Sequence, residues 1–204
     1  MRIAEIFYSV QGEGSLIGVP SIFVRTSGCN LRCSWCDSQY TFPRGKPYSI
    51  DELVQSVHTP YVCITGGEPL LQEGVYSLMA RLADAGCIVS CETNGSISTR
   101  NIDPRVRIIL DIKCPGSGQA EKNEMGNLAM LRPHDEVKFV IADENDYAFA
   151  KKIMSEHHLT NVLFSSAWGV LEPQILADWI VRDRIPVRFN MQLHKILWGL
   201  KAGV

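Results

Sequence analysis

The 204-residue chain has no apolar run approaching the ~20 residues that a membrane-spanning helix needs. Its first fifteen residues, MRIAEIFYSVQGEGS, bring in Glu5 where a secretory signal would carry its apolar stretch. No membrane partner and a cytoplasmic location are therefore expected. An excess of either charge is also lacking: 20 Lys and Arg against 22 Asp and Glu leave a net charge of −2. A nucleic-acid partner, which usually leaves a basic footprint, is not expected. There is no internal repeat, low-complexity tract or linker, so a single domain over 1–204 is expected. The chain is also shorter than the ~250 residues of a complete eight-fold β/α barrel.

Two more absences concern the cysteines. Three of the seven lie in Cys29-Asn30-Leu31-Arg32-Cys33-Ser34-Trp35-Cys36, a C-x3-C-x2-C spacing, and no fourth follows to complete a set. No histidine lies within twenty residues of the triplet; the nearest is His58. A structural zinc wants four ligands, so it would have to recruit a distant cysteine. A cubane iron–sulfur cluster has four irons, each taking a ligand. Three thiolates leave one iron open, as catalytic zinc sites leave one position open. The stretch reads as an open-site [4Fe–4S] motif, with a zinc site or metal-free thiols as the alternatives. Cys63, Cys87 and Cys91 lie in apolar runs and read as small core residues in a reducing compartment. Cys114, which follows Asp111-Ile112-Lys113 at a strand end, is left open.

What is present is an alternation of strand and helix patterns. Strands are predicted at 2–9, 20–27, 61–65, 87–92, 106–112, 136–141, 161–166 and 186–190, and helices at 49–57, 71–85, 145–157 and 172–182. Ser49 and Glu52 form a capping-box signature. Val75, Leu78, Met79 and Leu82 make one apolar helical stripe. Val137, Phe139 and Ile141 alternate with Lys138, a half-buried strand pattern. Residues 114–130 read as a loop followed by a short helix. The alternation predicts an α/β fold, an incomplete, open β/α barrel with a mainly parallel sheet and a cluster loop at about 28–47. Chemistry in such folds gathers at the C-terminal strand ends. Thr65-Gly66-Gly67-Glu68, Glu92-Thr93-Asn94-Gly95, Asp111 with Lys113, and Ser165-Ser166 are all predicted at that rim.

The C-x3-C-x2-C loop after an early strand, with Gly66-Gly67-Glu68-Pro69 after the next, resembles the radical S-adenosylmethionine superfamily. The resemblance implies that the cluster's open iron binds S-adenosylmethionine and that the reduced cluster cleaves it to a 5′-deoxyadenosyl radical. It places the cofactor against Trp35, Gly66, Gly67, Glu68, Thr93, Asn94, Lys113 and Ser165. Within the superfamily, Phe7-Tyr8-Ser9-Val10-Gln11-Gly12-Glu13-Gly14, Gly18-Val19-Pro20, Phe23-Val24-Arg25 and the ending Gln192-Leu193-His194-Lys195, Leu197-Trp198-Gly199, Gly203-Val204 resemble the 7-carboxy-7-deazaguanine synthases.

That family implies a pterin substrate, 6-carboxy-5,6,7,8-tetrahydropterin, converted with loss of ammonia after hydrogen abstraction at C6, with S-adenosylmethionine regenerated. Val10, Gln11, Gly12 and Glu13 would meet the pterin edge, and Arg25 its carboxylate. Thr65, His194 and Val204 would complete the pocket. Mg²⁺ is implied on the hydroxyl two residues past the third cysteine, here Ser38, where the family form is Thr. A reducing partner such as flavodoxin or ferredoxin and a homodimer are implied as well. The rival expectation is an activase that abstracts hydrogen from a glycine of a partner enzyme. A non-catalytic iron–sulfur carrier or a zinc-stabilised binding module would be of another class.

Overall fold

The computed structural model describes residues 1–43 and 45–204. Its frame is one nine-stranded sheet. In chain order the strands are β1 (Arg2–Val10), β2 (Pro20–Thr26), β3 (Lys46–Pro47), β4 (Tyr61–Gly66), β5 (Ile88–Thr93), β6 (Arg107–Ile112), β7 (Glu136–Ile141), β8 (Val162–Ser166) and β9 (Arg188–Phe189). The spatial order is β3-β1-β2-β4-β5-β6-β7-β8-β9. β1 pairs antiparallel with β2 and β3, and every pair from β2–β4 to β8–β9 is parallel. Among the described residues β3 and β9 are outer edges that do not meet, so the barrel is open, as the strand–helix alternation predicts.

The helices are α1 (Ile50–Gln55), α2 (Gly74–Asp84), α3 (Glu144–Glu156), α4 (Pro173–Asp183) and α5 (Leu193–Trp198). Ser49 and Glu52 cap α1 reciprocally. The α2 stripe of Val75, Leu78, Met79 and Leu82 is fully buried against the sheet's outer face. That face carries Val62, Ile64, Val89, Cys91, Leu110, Ile112, Val137, Phe139, Ile141 and Phe164 in the same apolar cluster. Each fully buried aliphatic or aromatic side chain there is worth roughly 1.5–3 kcal/mol.

Three sequence expectations need correcting. Residues 114–130 hold no α-helix but three 3₁₀ turns, Pro115–Ser117, Ala120–Lys122 and Met125–Met130. The strand expected over 186–190 is reduced to Arg188–Phe189. Lys138 breaks the half-buried pattern expected of its strand, because it is only 8% exposed. Its neighbours in sequence face the helices, and Lys138 faces the barrel lumen. A strand of a β/α barrel has no solvent face, so the polar member of the alternation points to the site.

The connection from β1 to β2 does more than turn the chain. It crosses the lumen and reaches the far side of the open sheet. The Ser15 N–H and hydroxyl donate to the Glu136 carboxylate at 3.0 and 2.6 Å, and the Gly14 N–H donates to Asn190 Oδ1 at 2.9 Å. The Leu193 N–H donates to the Gly12 carbonyl at 3.0 Å. The Gly-rich turn thus ties the β1 side of the open sheet to residues at its β7–β9 side.

Candidate active site

The cysteine loop leaves β2 at Thr26 and is pinned to the neighbouring strand end. The Gly67 and Glu68 N–H groups donate to the Thr26 and Gly28 carbonyls at 3.2 and 2.9 Å. A Cβ on Gly67 would lie 2.2 Å from the Gly28 oxygen. The glycine pair is therefore required by backbone packing at the root of the loop, as well as leaving room for a ligand. Farther along, Arg32 donates to the Cys29 and Leu31 carbonyls at 2.8 and 2.6 Å and stacks over Phe42. The Ser34 N–H donates to the Ser117 carbonyl at 3.1 Å. Trp35 packs on Gly116, where an added Cβ would come within 2.9 Å of its ring.

Cys29, Cys33 and Cys36 are free thiols, half-buried, and all three line one cavity of about 260 Å³. Burial pushes the Cys33 and Cys36 thiols up; Lys113 pulls back on both. The Leu31 N–H and the Asn94 side-chain amide point at the Cys29 sulfur at 3.4 and 3.6 Å. Hydrogen bonds of this kind to sulfur set the potential of an iron–sulfur cluster. Among the described residues, no three His, Cys, Asp or Glu side chains converge on a point that would hold one metal ion. Three soft donors spread around a cavity wall suit a cluster, which takes one thiolate per iron, better than a mononuclear zinc. The other cysteines follow a different logic. Cys63, Cys91 and Cys114 are buried and their thiols are pushed far up by desolvation, while Cys87 is half-buried.

The same cavity is lined by Val10, Gln11, Gly12, Glu13, Arg25, Thr65, His194 and Val204, and by Trp35, Gly66, Gly67, Thr93, Asn94, Lys113 and Ser38. Two expected site residues lie outside it. The Glu68 carboxylate is fully buried and accepts from the Leu70 N–H, the Thr93 hydroxyl and the Asn94 N–H at 2.9, 2.8 and 2.7 Å. Burial raises its pKa against those bonds. It braces the ends of β4 and β5. The Ser165 hydroxyl accepts from Asn190 at 2.8 Å and is 1% exposed, so it fixes the far end of the sheet.

A polar network crosses the lumen. Glu13 accepts from Lys138 and Gln192, both at 2.9 Å. Burial alone would raise Glu13, yet Lys138 and Gln192 bring it down to about 2, so it is a carboxylate at neutral pH. Lys138 also lies 3.5 Å from Asp111, which in turn lies 3.1 Å from Lys113. Burial opposes the Lys138 charge, but Glu13, Asp111 and Glu92 hold it well above the usual lysine value. Glu92 accepts from the Gln11 amide at 3.3 Å and the Thr65 hydroxyl at 2.9 Å. Arg25 donates through Nε to Glu5 at 2.7 Å, and Tyr40 donates to the same oxygen at 2.7 Å. Among the described residues the terminal guanidinium nitrogens of Arg25 are left for a ligand.

α5 and the residues after it form the remaining wall, with Leu200 to Val204 along the cavity. His194 packs on Gly12, where an added Cβ would lie 2.1 Å from Nδ1. Burial lowers its pKa, so the ring is neutral at pH 7. Lys195 is ion-paired with Asp37, next to Ser38. Burial would raise Asp37, but Lys195 brings it down to about 2.

Glu5, Asp37, Lys138, Gln192 and Lys195 join the site without a role assigned to them by the sequence motifs, whereas Glu92 and Asp111 stand at the predicted rim without an assigned contact. Glu92 and Asp111 carry a usable signal: each occupies a lumen-facing strand position, alternating with buried apolar neighbours. Lys138 carries the same signal with the opposite interpretation. Nothing local points to Glu5, which enters the site through Arg25 and Tyr40, while Gln192 and Lys195 lie in the Gln192-Leu193-His194-Lys195 ending that carries the family resemblance.

The comparisons with known proteins fall on this geometry. A family model described as the radical SAM superfamily matches residues 23–114, from β2 through the cysteine loop to the end of β6. A 7-carboxy-7-deazaguanine synthase of Koribacter versatilis (strain Ellin345) is 43% identical over 219 residues, covering 97% of each chain. One from Chlorobaculum tepidum is 44% identical over 211 residues, covering 99% of this chain and 96% of the relative. The crystal structure of QueE from Escherichia coli superposes with a TM-score of 0.70 at 22% identity, covering 95% of this chain and 94% of that one. This last likeness speaks to the fold. No helix among the described residues is long and apolar enough to cross a membrane.

Proposed function

The chain belongs to the 7-carboxy-7-deazaguanine synthases of the radical SAM superfamily, and we propose on that footing how its own residues convert 6-carboxy-5,6,7,8-tetrahydropterin to 7-carboxy-7-deazaguanine with release of ammonia. The observation that carries the reading is a single cavity with the three cysteine thiols in its wall and the Gln11–Glu13 turn facing the same space. Cys29, Cys33 and Cys36 would hold a [4Fe–4S] cluster. Trp35, Gly66, Gly67, Thr93, Asn94 and Lys113 would hold S-adenosylmethionine beside it. When bound, these groups supply one-electron reduction and abstraction of a hydrogen atom from carbon; the protein supplies placement.

Glu13 is an ionised acceptor with lone pairs to spare, and the pterin edge presents adjacent N–H donors. Gln11 is oriented for the same edge by Glu92. Arg25, fixed at Nε by Glu5, presents its outer edge to the substrate carboxylate as a fork. Thr65, Val10, Gly12, His194 and Val204 complete the enclosure. Ser38 would hold Mg²⁺ through its hydroxyl oxygen, and the ion would orient the substrate carboxylate. The hard oxygen of Ser38 at the cavity wall suits that ion. A reductant of flavodoxin or ferredoxin type and a homodimer belong to the same reading. The activase reading loses its ground, because the relatives matched over nearly their full length are deazaguanine synthases.

Arg25→Ala is expected to raise KM for the pterin by about ten-fold or more with a smaller change in kcat, since it removes a binding contact. Glu5→Gln should move KM in the same direction by less. An unchanged KM in Arg25→Ala would show that the carboxylate docks elsewhere.

The overall reading is tested anaerobically. The iron- and sulfide-reconstituted protein is reduced and mixed with S-adenosylmethionine, Mg²⁺ and the pterin, and products are followed by mass spectrometry. 7-Carboxy-7-deazaguanine is expected, with 5′-deoxyadenosine substoichiometric. Cleavage of S-adenosylmethionine with the pterin untouched would keep the superfamily and discard the substrate.

A further inference from the structure

Asp37 lies between the last cysteine of the motif and Ser38, and its two oxygens are committed in different directions. Oδ1 accepts the Ser38 hydroxyl at 2.8 Å. Oδ2 is ion-paired with Lys195 Nζ, from α5. Lys195 is itself held in place: it is 6% exposed, donates to Gln192 Oε1 at 2.8 Å and lies 5.7 Å from the centre of the Trp168 ring. The chain of contacts therefore runs from a buried ammonium, through a carboxylate, to a hydroxyl on the cavity wall.

A hydroxyl offers one proton and two lone pairs. With its proton committed to Asp37, Ser38 can offer the cavity only lone pairs, which is what a cation requires. Its rotamer is settled by the same bond. A serine has a single heavy atom on Cβ and three open χ1 wells, so nothing in the side chain itself selects one. Metal sites commonly place a carboxylate behind a ligand to fix its proton and its direction.

We propose that Asp37, anchored by Lys195, is the positioning residue of the divalent-cation site: it makes Ser38 an acceptor and aims it. The inference rests on the assignment of Mg²⁺ to Ser38. It also links that site to α5, where His194, the residue before Lys195, packs on the substrate turn at Gly12.

The test is a Mn²⁺ titration of the cluster-loaded protein with S-adenosylmethionine and the pterin present. Free Mn²⁺ is read by electron paramagnetic resonance, with Mg²⁺ as competitor and iron content measured on the same samples. Ser38→Ala should lose the Mg²⁺-competed binding. Asp37→Ala, at normal iron content, should weaken Mn²⁺ roughly ten- to hundred-fold. Adding Ser38→Thr to Asp37→Ala should recover most of that loss, because the methyl group restricts χ1. Ser38→Thr alone should change affinity by no more than about two-fold, since Asp37 already selects the rotamer. Unchanged affinity in Asp37→Ala overturns the proposal while the Mg²⁺ assignment stands. So does a loss that Ser38→Thr does not recover, or a ten-fold gain from Ser38→Thr alone. Ser38→Ala binding Mn²⁺ as the parent does overturns the Mg²⁺ assignment itself.

Discussion

Replacing Cys33 with Ala is expected to abolish cluster assembly and turnover together while leaving a folded protein. The thiol is half-buried on a loop and holds no apolar contact in the core, so the apo protein should lose no more than about 1 kcal/mol of stability. The loop has supports that do not depend on the sulfur: the Gly67 and Glu68 bonds at its root, Arg32 on two of its carbonyls, and Ser34 on Ser117. Iron and sulfide content, visible absorption and product formation should therefore all fall, and the unfolding midpoint should stay close to that of the apo parent. Cys91→Ala is the opposite case. That thiol is fully buried among Val62, Ile64 and Leu110 in the outer-face cluster. Its loss should leave iron content intact and cost stability instead, by about 1–2 kcal/mol for the small cavity. Full activity in Cys33→Ala would sink the cluster assignment. Loss of iron in Cys91→Ala would mean that the seven cysteines do not divide as the structure divides them.

That division was visible in the sequence, because three cysteines in a fixed spacing and three in apolar runs are local patterns. The alternation of strand and helix was also local, and the sheet follows it in order. What could not be read locally is which way a polar residue on a covered strand points. Lys138 sits between Val137 and Phe139 in a pattern that serves equally for a solvent face and for a barrel lumen; only the packing of the β1–β2 turn against that face decides. Glu68 shows the converse. Its position in the Gly-Gly-Glu-Pro turn suggested a ligand contact, but Thr93 and the backbone of Leu70 and Asn94 occupy its oxygens. The Ser165 hydroxyl accepts from Asn190 and is buried outside the cavity. The short helix α5 was missed because six residues are too few for a helical period to show, and its place is set by Gly12 and Asp37 from the other end of the chain.

Lys138→Met should be among the most destabilising single changes in the molecule, by about 3–5 kcal/mol, because it leaves the buried Glu13 carboxylate without its counter-ion, while Asp111 keeps Lys113. Lys138 is the cation between Glu13 and Asp111, and all three side chains are at least largely screened from solvent. The pH dependence identifies the cause. Glu13 is lowered from the ordinary 4.5 to about 2 in the folded protein, with Lys138 the largest influence acting in that direction. A carboxyl depressed on folding contributes stability above its unfolded value and loses that contribution as pH falls towards its folded value. Urea unfolding of the parent and of Lys138→Met should therefore show the largest difference at neutral pH and a narrowing one as pH falls, first as Glu13 of the variant takes up its proton and then, from about pH 4.5 down to about 2, as Glu13 of the parent does. Glu13→Gln added to Lys138→Met should restore much of the loss at neutral pH, since a neutral amide in place of the unpaired charge removes most of the penalty. A difference that stays constant with pH would assign the loss to packing around the lysine stem rather than to the ion pair. The substrate consequence follows from the same geometry. With Lys138 gone, Glu13 is driven towards its protonated form, and the turn between β1 and β2 loses the carboxylate acceptor proposed for the pterin edge.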